Sequence, residues 1–109
     1  MYINNEGVII MSAKIIVKYQ KNMAQFLIKN DLNVVIDNQN TVCVPPNQTC
    51  EMKIEAGKHR LQASFPYLGS EAGKAHIEFE IKDGEVLLIT YKTPLLVQLP
   101  GKILVQKMK

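Results

Sequence analysis

The sequence predicts an all-β protein: a single antiparallel β-sandwich of seven or eight strands, immunoglobulin-like or prealbumin-like in outline. The first observation behind this reading is alternation. In "CEMKIE", Cys50, Met52 and Ile54 share one face and Glu51, Lys53 and Glu55 the other, while "HIEFEI" sets Ile77, Phe79 and Ile81 against His76, Glu78 and Glu80. A period of two marks half-buried strands. The second is punctuation. Turn chemistry recurs as "DNQN" at 37–40, "PPNQ" at 45–48, "EAGK" at 55–58, "KDGE" at 82–85 and "LPGK" at 99–102, the spacing of a sandwich or barrel. The third is size: 109 residues, 47% hydrophobic and 21% charged, suit one domain able to form a core without staples.

Residues 1–10 carry two readings. "GVIIM" fits an N-terminal strand; alternatively Gly7-Val8, encoded GGN-GTN, supplies a ribosome-binding GGAG ahead of Met11, which makes 1–10 a translated leader and 11–109 the sandwich domain. Strands then follow at about Lys14–Tyr19, Leu32–Ile36, Thr41–Val44, Thr49–Ile54, His59–Phe65, Lys74–Ile81, Glu85–Lys92 and Lys102–Gln106. "NMAQFLIKN" at 22–30 fits a short strand or a helical turn. Asp83-Gly84, between apolar runs, is the strongest hairpin signal, because glycine readily supplies a positive φ. No long repeat and no low-complexity linker interrupts the chain.

The stretch "NVVIDNQNTVCVPPNQTCEMKIEAGKHRLQASF" resembles the strand-turn-strand core of small bacterial sandwich modules, including PEGA-like domains. Those modules share an apolar strand ending in Asp-Gly-Lys, two short strands, then Pro/Ala-Gly-Lys/Glu-His/Tyr and an outgoing strand. Val34, Ile36 and Asp37 match the first part, Ala56, Gly57, Lys58, His59 and Leu61 the second, and Asn38 stands where the pattern has glycine. "IEFEIKDGEVLLITYKTP" and "PGKILV" resemble the closing hairpin and last strand of bacterial proteins with this core. The resemblance covers most of the chain from residue 32 onward. It implies a fold and a binding role, and brings no catalytic residues.

The net charge of +3 is unevenly spread, with four lysines against Glu6 in residues 1–30, three lysines in 101–109 and a net acidic middle. Only 6% of residues are aromatic and none is Trp, which weighs against nucleic acid as a partner. The terminal lysines are expected to guard exposed sheet edges. No apolar run is long enough to span a bilayer and the first residues lack a secretory pattern, so the expected location is cytoplasmic.

Several motifs dissolve on inspection. In "IEAGKHRLQASF", His59 and Arg60 point to opposite faces, so Lys58, His59 and Arg60 follow a turn and form no cluster. His59 is expected to cap the core's edge through a backbone hydrogen bond. Cys43 and Cys50, separated by six residues and with His59 and His76 distant, lack a zinc knuckle, so no metal and no cofactor is expected. Alternation puts Cys43 on the wet face and Cys50 on the dry one, which predicts free thiols. "GSEAGKA" at 69–75 imitates a phosphate loop, but is one residue short and leads into a strand; it is expected to be a flexible connection.

Two surfaces remain. In "TPLLVQLPG", Pro94 and Pro100 bracket Leu95, Leu96, Val97 and Leu99, which either close one end of the sandwich or face a partner. Loop 66–73 offers Tyr67, Ser70 and Glu71 to a small molecule or carbohydrate. No nucleophile, base and orienting group stand together. The expectation is therefore a non-enzymatic interaction module that binds a protein partner or a second copy of itself, the alternative being a small-molecule or carbohydrate-binding domain.

Overall fold

The alternation resolves into two four-stranded sheets whose dry faces meet. The computed structural model describes residues 2–3, 9–10, 12–21, 30–94 and 99–108, and among them are ten strands and no helix. They are β1 (Tyr2–Ile3), β2 (Ile9–Ile10), β3 (Ser12–Gln20), β4 (Leu32–Ile36), β5 (Asn40–Val44), β6 (Thr49–Glu55), β7 (Gly57–Tyr67), β8 (Ser70–Ile81), β9 (Val86–Lys92) and β10 (Lys102–Lys107). One sheet runs β10-β9-β3-β6 and the other β5-β4-β7-β8, while β1 and β2 form a small antiparallel ladder. The segment 22–29, read as strand or helical turn, lies outside the described residues.

The core sits between the central strands. Ala13, Ile15, Val17 and Tyr19 of β3 and Leu87, Ile89 and Tyr91 of β9 face Leu32, Val34 and Ile36 of β4 and Leu61, Ala63 and Phe65 of β7. Each large aliphatic or aromatic side chain buried here is worth roughly 1.5–3 kcal/mol of transfer free energy, so these four strands anchor the fold. Tyr19 and Tyr91 meet edge to face with centroids 5.8 Å apart. Burial, with a smaller contribution from Asp31, raises the Tyr19 hydroxyl to about 12.

Three expectations need correction. The sandwich is not wholly antiparallel: β3 pairs β9 in parallel, with Ile15 beside Leu87 and Val17 beside Ile89. Alternation reports which face is dry and carries no information on strand direction. Second, Asp83-Gly84 closes no hairpin, because β8 and β9 belong to different sheets. The turn steps across the core and is stitched to β3: Gly84 N donates to Ser12 O at 2.9 Å, Lys14 N to Glu85 O at 3.0 Å and Ser12 N to Asp83 Oδ1 at 3.0 Å. The turns after β5 and β6 also change sheets.

Third, 69–75 is no flexible connection: Gly69 belongs to a tight turn and 70–75 is strand. β7 and β8 form one long hairpin whose two-residue tip, Leu68-Gly69, takes φ values of 50° and 80°, as a type I′ loop requires. Further in, Ala63 pairs with Ala75 but Phe65 with Ala72. Gly73 and Lys74 thus stand opposite Ser64 alone, a β-bulge with its glycine at φ 60°. The Gly73 carbonyl accepts hydrogen bonds from the Tyr91 hydroxyl at 2.5 Å and from Gly101 N at 3.2 Å. This bulge ties the hairpin to the approach of β10.

Candidate interaction surface

β10 is the end strand of its sheet and pairs β9 from Lys102 opposite Lys92 to Lys107 opposite Leu87. Among the described residues the exposed large hydrophobics are Leu68 and then Leu99, Leu104, Val105 and Met108, two of the five on β10 and two more within three residues of its ends. Leu104 is 41% and Val105 38% exposed, because an end strand has cover on one side only. Met108 N donates to Val86 O at 2.7 Å. Antiparallel pairs alternate between bonded and non-bonded, so the N–H and C=O groups of Ile103, Val105 and Lys107 point away from β9. Among the described residues the result is an open edge with apolar side chains on both of its faces.

Register also defines the wet face of this sheet. Lys102, Leu104 and Gln106 stand beside Lys92, Thr90 and Leu88 of β9, and Leu88 stands beside Ile16 of β3. Two lysine pairs lie directly opposite each other across strands, Lys92 with Lys102 and Lys14 with Lys53. Glu51, 3.6 Å from Lys14, offsets one of them. The other sheet differs: its outer face opposes Lys58 to Glu80 and Arg60 to Glu78, a balanced surface suited to water. Lysines do sit on the β10 edge as expected, but Lys14 and Lys18 lie on β3, between β9 and β6, where they guard no edge. At the far end of β10, Lys107 bonds Glu85 at 2.7 Å while staying 67% exposed. That bond is the chief cause holding the Glu85 carboxyl below its ordinary value.

Tyr67, Ser70 and Glu71 line a groove of about 420 Å³ with Ala72, Gly73, Lys74, Leu99 and Pro100. The two surfaces named from sequence therefore meet, the hairpin supplying one wall and Leu99 the other. Glu71 also accepts a hydrogen bond from the Ser64 hydroxyl at 3.3 Å. Leu95, Leu96 and Val97 lie outside the described residues.

His59 does cap the core's edge, with Nε2 2.6 Å from Glu55 O and its ring 5.7 Å from Phe79. Its second partner was not legible locally: Nδ1 lies 2.6 Å from Asp37 Oδ2, 22 residues upstream. The β4–β7 ladder, with Ile36 opposite Leu61, brings them together. Asp37 Oδ1 also accepts the Arg60 N–H at 2.8 Å. Both ring nitrogens are engaged, which makes His59 a latch between strands. Cys43 and Cys50 are free and lie on different sheets, the former exposed and the latter half-buried. Among the described residues no group of three or more His, Cys, Asp or Glu side chains is placed to hold a metal ion, and no helix is long and apolar enough to cross a membrane.

Compared with known proteins, the chain matches no family model and no curated sequence. Sequence reasoning placed a strand at Lys102–Gln106 but missed its exposure. The available signal was "KILVQK", an apolar run without alternation between lysines.

Proposed function

We propose that the chain is a non-enzymatic protein-binding module that offers the free edge of β10 to a strand of its partner. The observation that carries this reading is the coincidence of outward backbone groups at Ile103, Val105 and Lys107 with exposed Leu104 and Val105. Strand addition gains main-chain hydrogen bonds along such an edge and side-chain contacts at alternate positions. A binding role is also what the resemblance to PEGA-like modules implies. The strand order favours the prealbumin-like outline: the first sandwich strand, β3, lies between β6 and β9, whereas immunoglobulin domains group their first strand with the second, fourth and fifth. A reducing cytoplasm suits the free thiols of Cys43 and Cys50.

The test is a Val105→Pro variant. Proline removes an N–H that points away from β9, so the internal ladder survives and the edge is blocked. In selection from a displayed peptide library, the natural chain should enrich β-prone segments and the folded variant should lose at least ten-fold of that enrichment. Equal enrichment by both would sink the reading. A second reading rests on the Tyr67 groove, whose volume of about 420 Å³ falls within the range of small-molecule sites; retention of a carbohydrate by the natural chain but not by Tyr67→Ala would favour it.

A further inference from the structure

We infer that the strand received by β10 comes from a different protein and carries acidic residues five positions apart, flanking an apolar centre. The inference rests on the strand-addition reading above. Its source is charge placement. Lys92 and Lys102 stand directly opposite on the outer face of the sheet, an arrangement that costs free energy when nothing of opposite sign joins it. A strand added beyond β10 sets one residue opposite Lys102 on that same face. A carboxylate there sets an opposite charge beside Lys102 and offsets the repulsion it shares with Lys92. Lys107 marks the other end of the edge and is still 67% exposed while bonded to Glu85. The two lysines are five positions apart, so their side chains leave opposite faces of the strand. The complementary partner therefore has acids at positions i and i+5, with small β-branched residues between them to cover Leu104 and Val105.

A second copy of the chain fits this edge poorly. Antiparallel self-pairing has to join outward groups to outward groups, setting Val105 opposite Val105 or opposite Ile103; Lys102 then meets Met108 or Gln106 and Lys107 meets Ile103 or Gly101, so a second copy brings no carboxylate to either lysine. Nucleic acid and anionic membranes are also drawn to lysines, but neither uses the outward N–H and C=O groups of Ile103, Val105 and Lys107. No outward-facing residue of β3, β6, β9 or β10 is aromatic, which leaves bases nothing to stack on.

The experiment titrates the chain with two synthetic hexapeptides, Glu-Thr-Val-Val-Thr-Glu and Lys-Thr-Val-Val-Thr-Lys, following amide shifts of β10 by NMR. The acidic peptide is expected to bind about ten-fold more tightly, with the advantage shrinking in high salt. A Lys102→Glu variant is expected to bind it about five-fold more weakly and yet to melt at a higher temperature, because Lys92 gains an opposite charge. Weaker binding from a more stable protein cannot be misfolding. Equal affinity for both peptides would overturn the charge assignment and leave strand addition standing. Failure of both peptides to bind would overturn both readings. Two further outcomes would also overturn the inference: a concentration-dependent dimer abolished by Val105→Pro, which assigns the edge to a second copy, and binding only to phosphatidylserine vesicles or oligo-dT.

Discussion

Alanine at position 73 is expected to cost the fold about 3–5 kcal/mol, combining the left-handed backbone penalty with overpacking of a filled core. Gly73 has φ 60°, and a Cβ there would lie 2.3 Å from both Phe65 Cε1 and the Tyr91 hydroxyl oxygen. Phe65 and Tyr91 are 0% and 1% exposed, so neither ring has open space to move into. Any backbone shift that relieves the clash pulls the Gly73 carbonyl from its two donors, the Tyr91 hydroxyl and Gly101 N. Domains of this kind are stable by roughly 5–15 kcal/mol, so the loss is a large fraction of the total. Urea unfolding followed by circular dichroism measures it. Two companions separate the causes. Tyr91→Phe removes one hydrogen bond and should cost about 1–2 kcal/mol. Gly69→Ala, at the hairpin tip with nothing within 4 Å of the new Cβ, should cost about 1 kcal/mol for its backbone angle alone. A Gly73→Ala loss no larger than that of Gly69→Ala would mean that the bulge has room to spare.

That glycine also illustrates what a sequence hides. "GSEAGKA" is small and polar, the composition of a loop, and the bulge within it depends on a register shift between Ala63 and Phe65 of the neighbouring strand and on a Tyr91 hydroxyl in the other sheet. By contrast, Leu32–Ile36 was legible to the residue, because Leu32, Val34 and Ile36 bury on one face and the turn chemistry of Asp37 and Asn38 ends the strand at once. Turn chemistry itself is ambiguous. Ala56-Gly57 and Asp83-Gly84 look like hairpin turns, yet both pass the chain between sheets, and only the pairing of distant strands decides this. The same gap explains the interaction surface. That Lys102–Gln106 is a strand follows from composition, but the exposure of Leu104 and Val105 follows from β10 standing last in the sheet order. His59 was assigned its backbone cap correctly from alternation, while Asp37 entered only through the β4–β7 ladder.

That ladder contact yields the second large effect. Asp37→Ala is expected to remove about 2–3 kcal/mol at neutral pH, through the loss of two hydrogen bonds to a charged acceptor. One ties down His59, the other the Arg60 N–H. Alanine also suits poorly the φ of 53° at this turn, a region that Asp and Asn tolerate. The acid side gives a sharper signature. Partial burial pushes the Asp37 carboxyl up, but the bonds from His59 and Arg60 outweigh it and hold the carboxyl below its ordinary value of 3.8. As pH falls, the unfolded chain therefore takes up this proton before the folded one does. The stabilising contribution is complete above the unfolded value and is lost as pH drops through the folded one. Asp37→Asn keeps the turn's backbone preference and an acceptor for Arg60 N, but has no carboxyl to titrate. Urea unfolding between pH 7 and pH 2 should accordingly show the natural chain losing stability more steeply below about pH 4 than Asp37→Asn, the two curves converging at the acid end. Parallel curves across that range would mean that Asp37 titrates alike in both states, and that the strand latch owes its strength to geometry and not to charge.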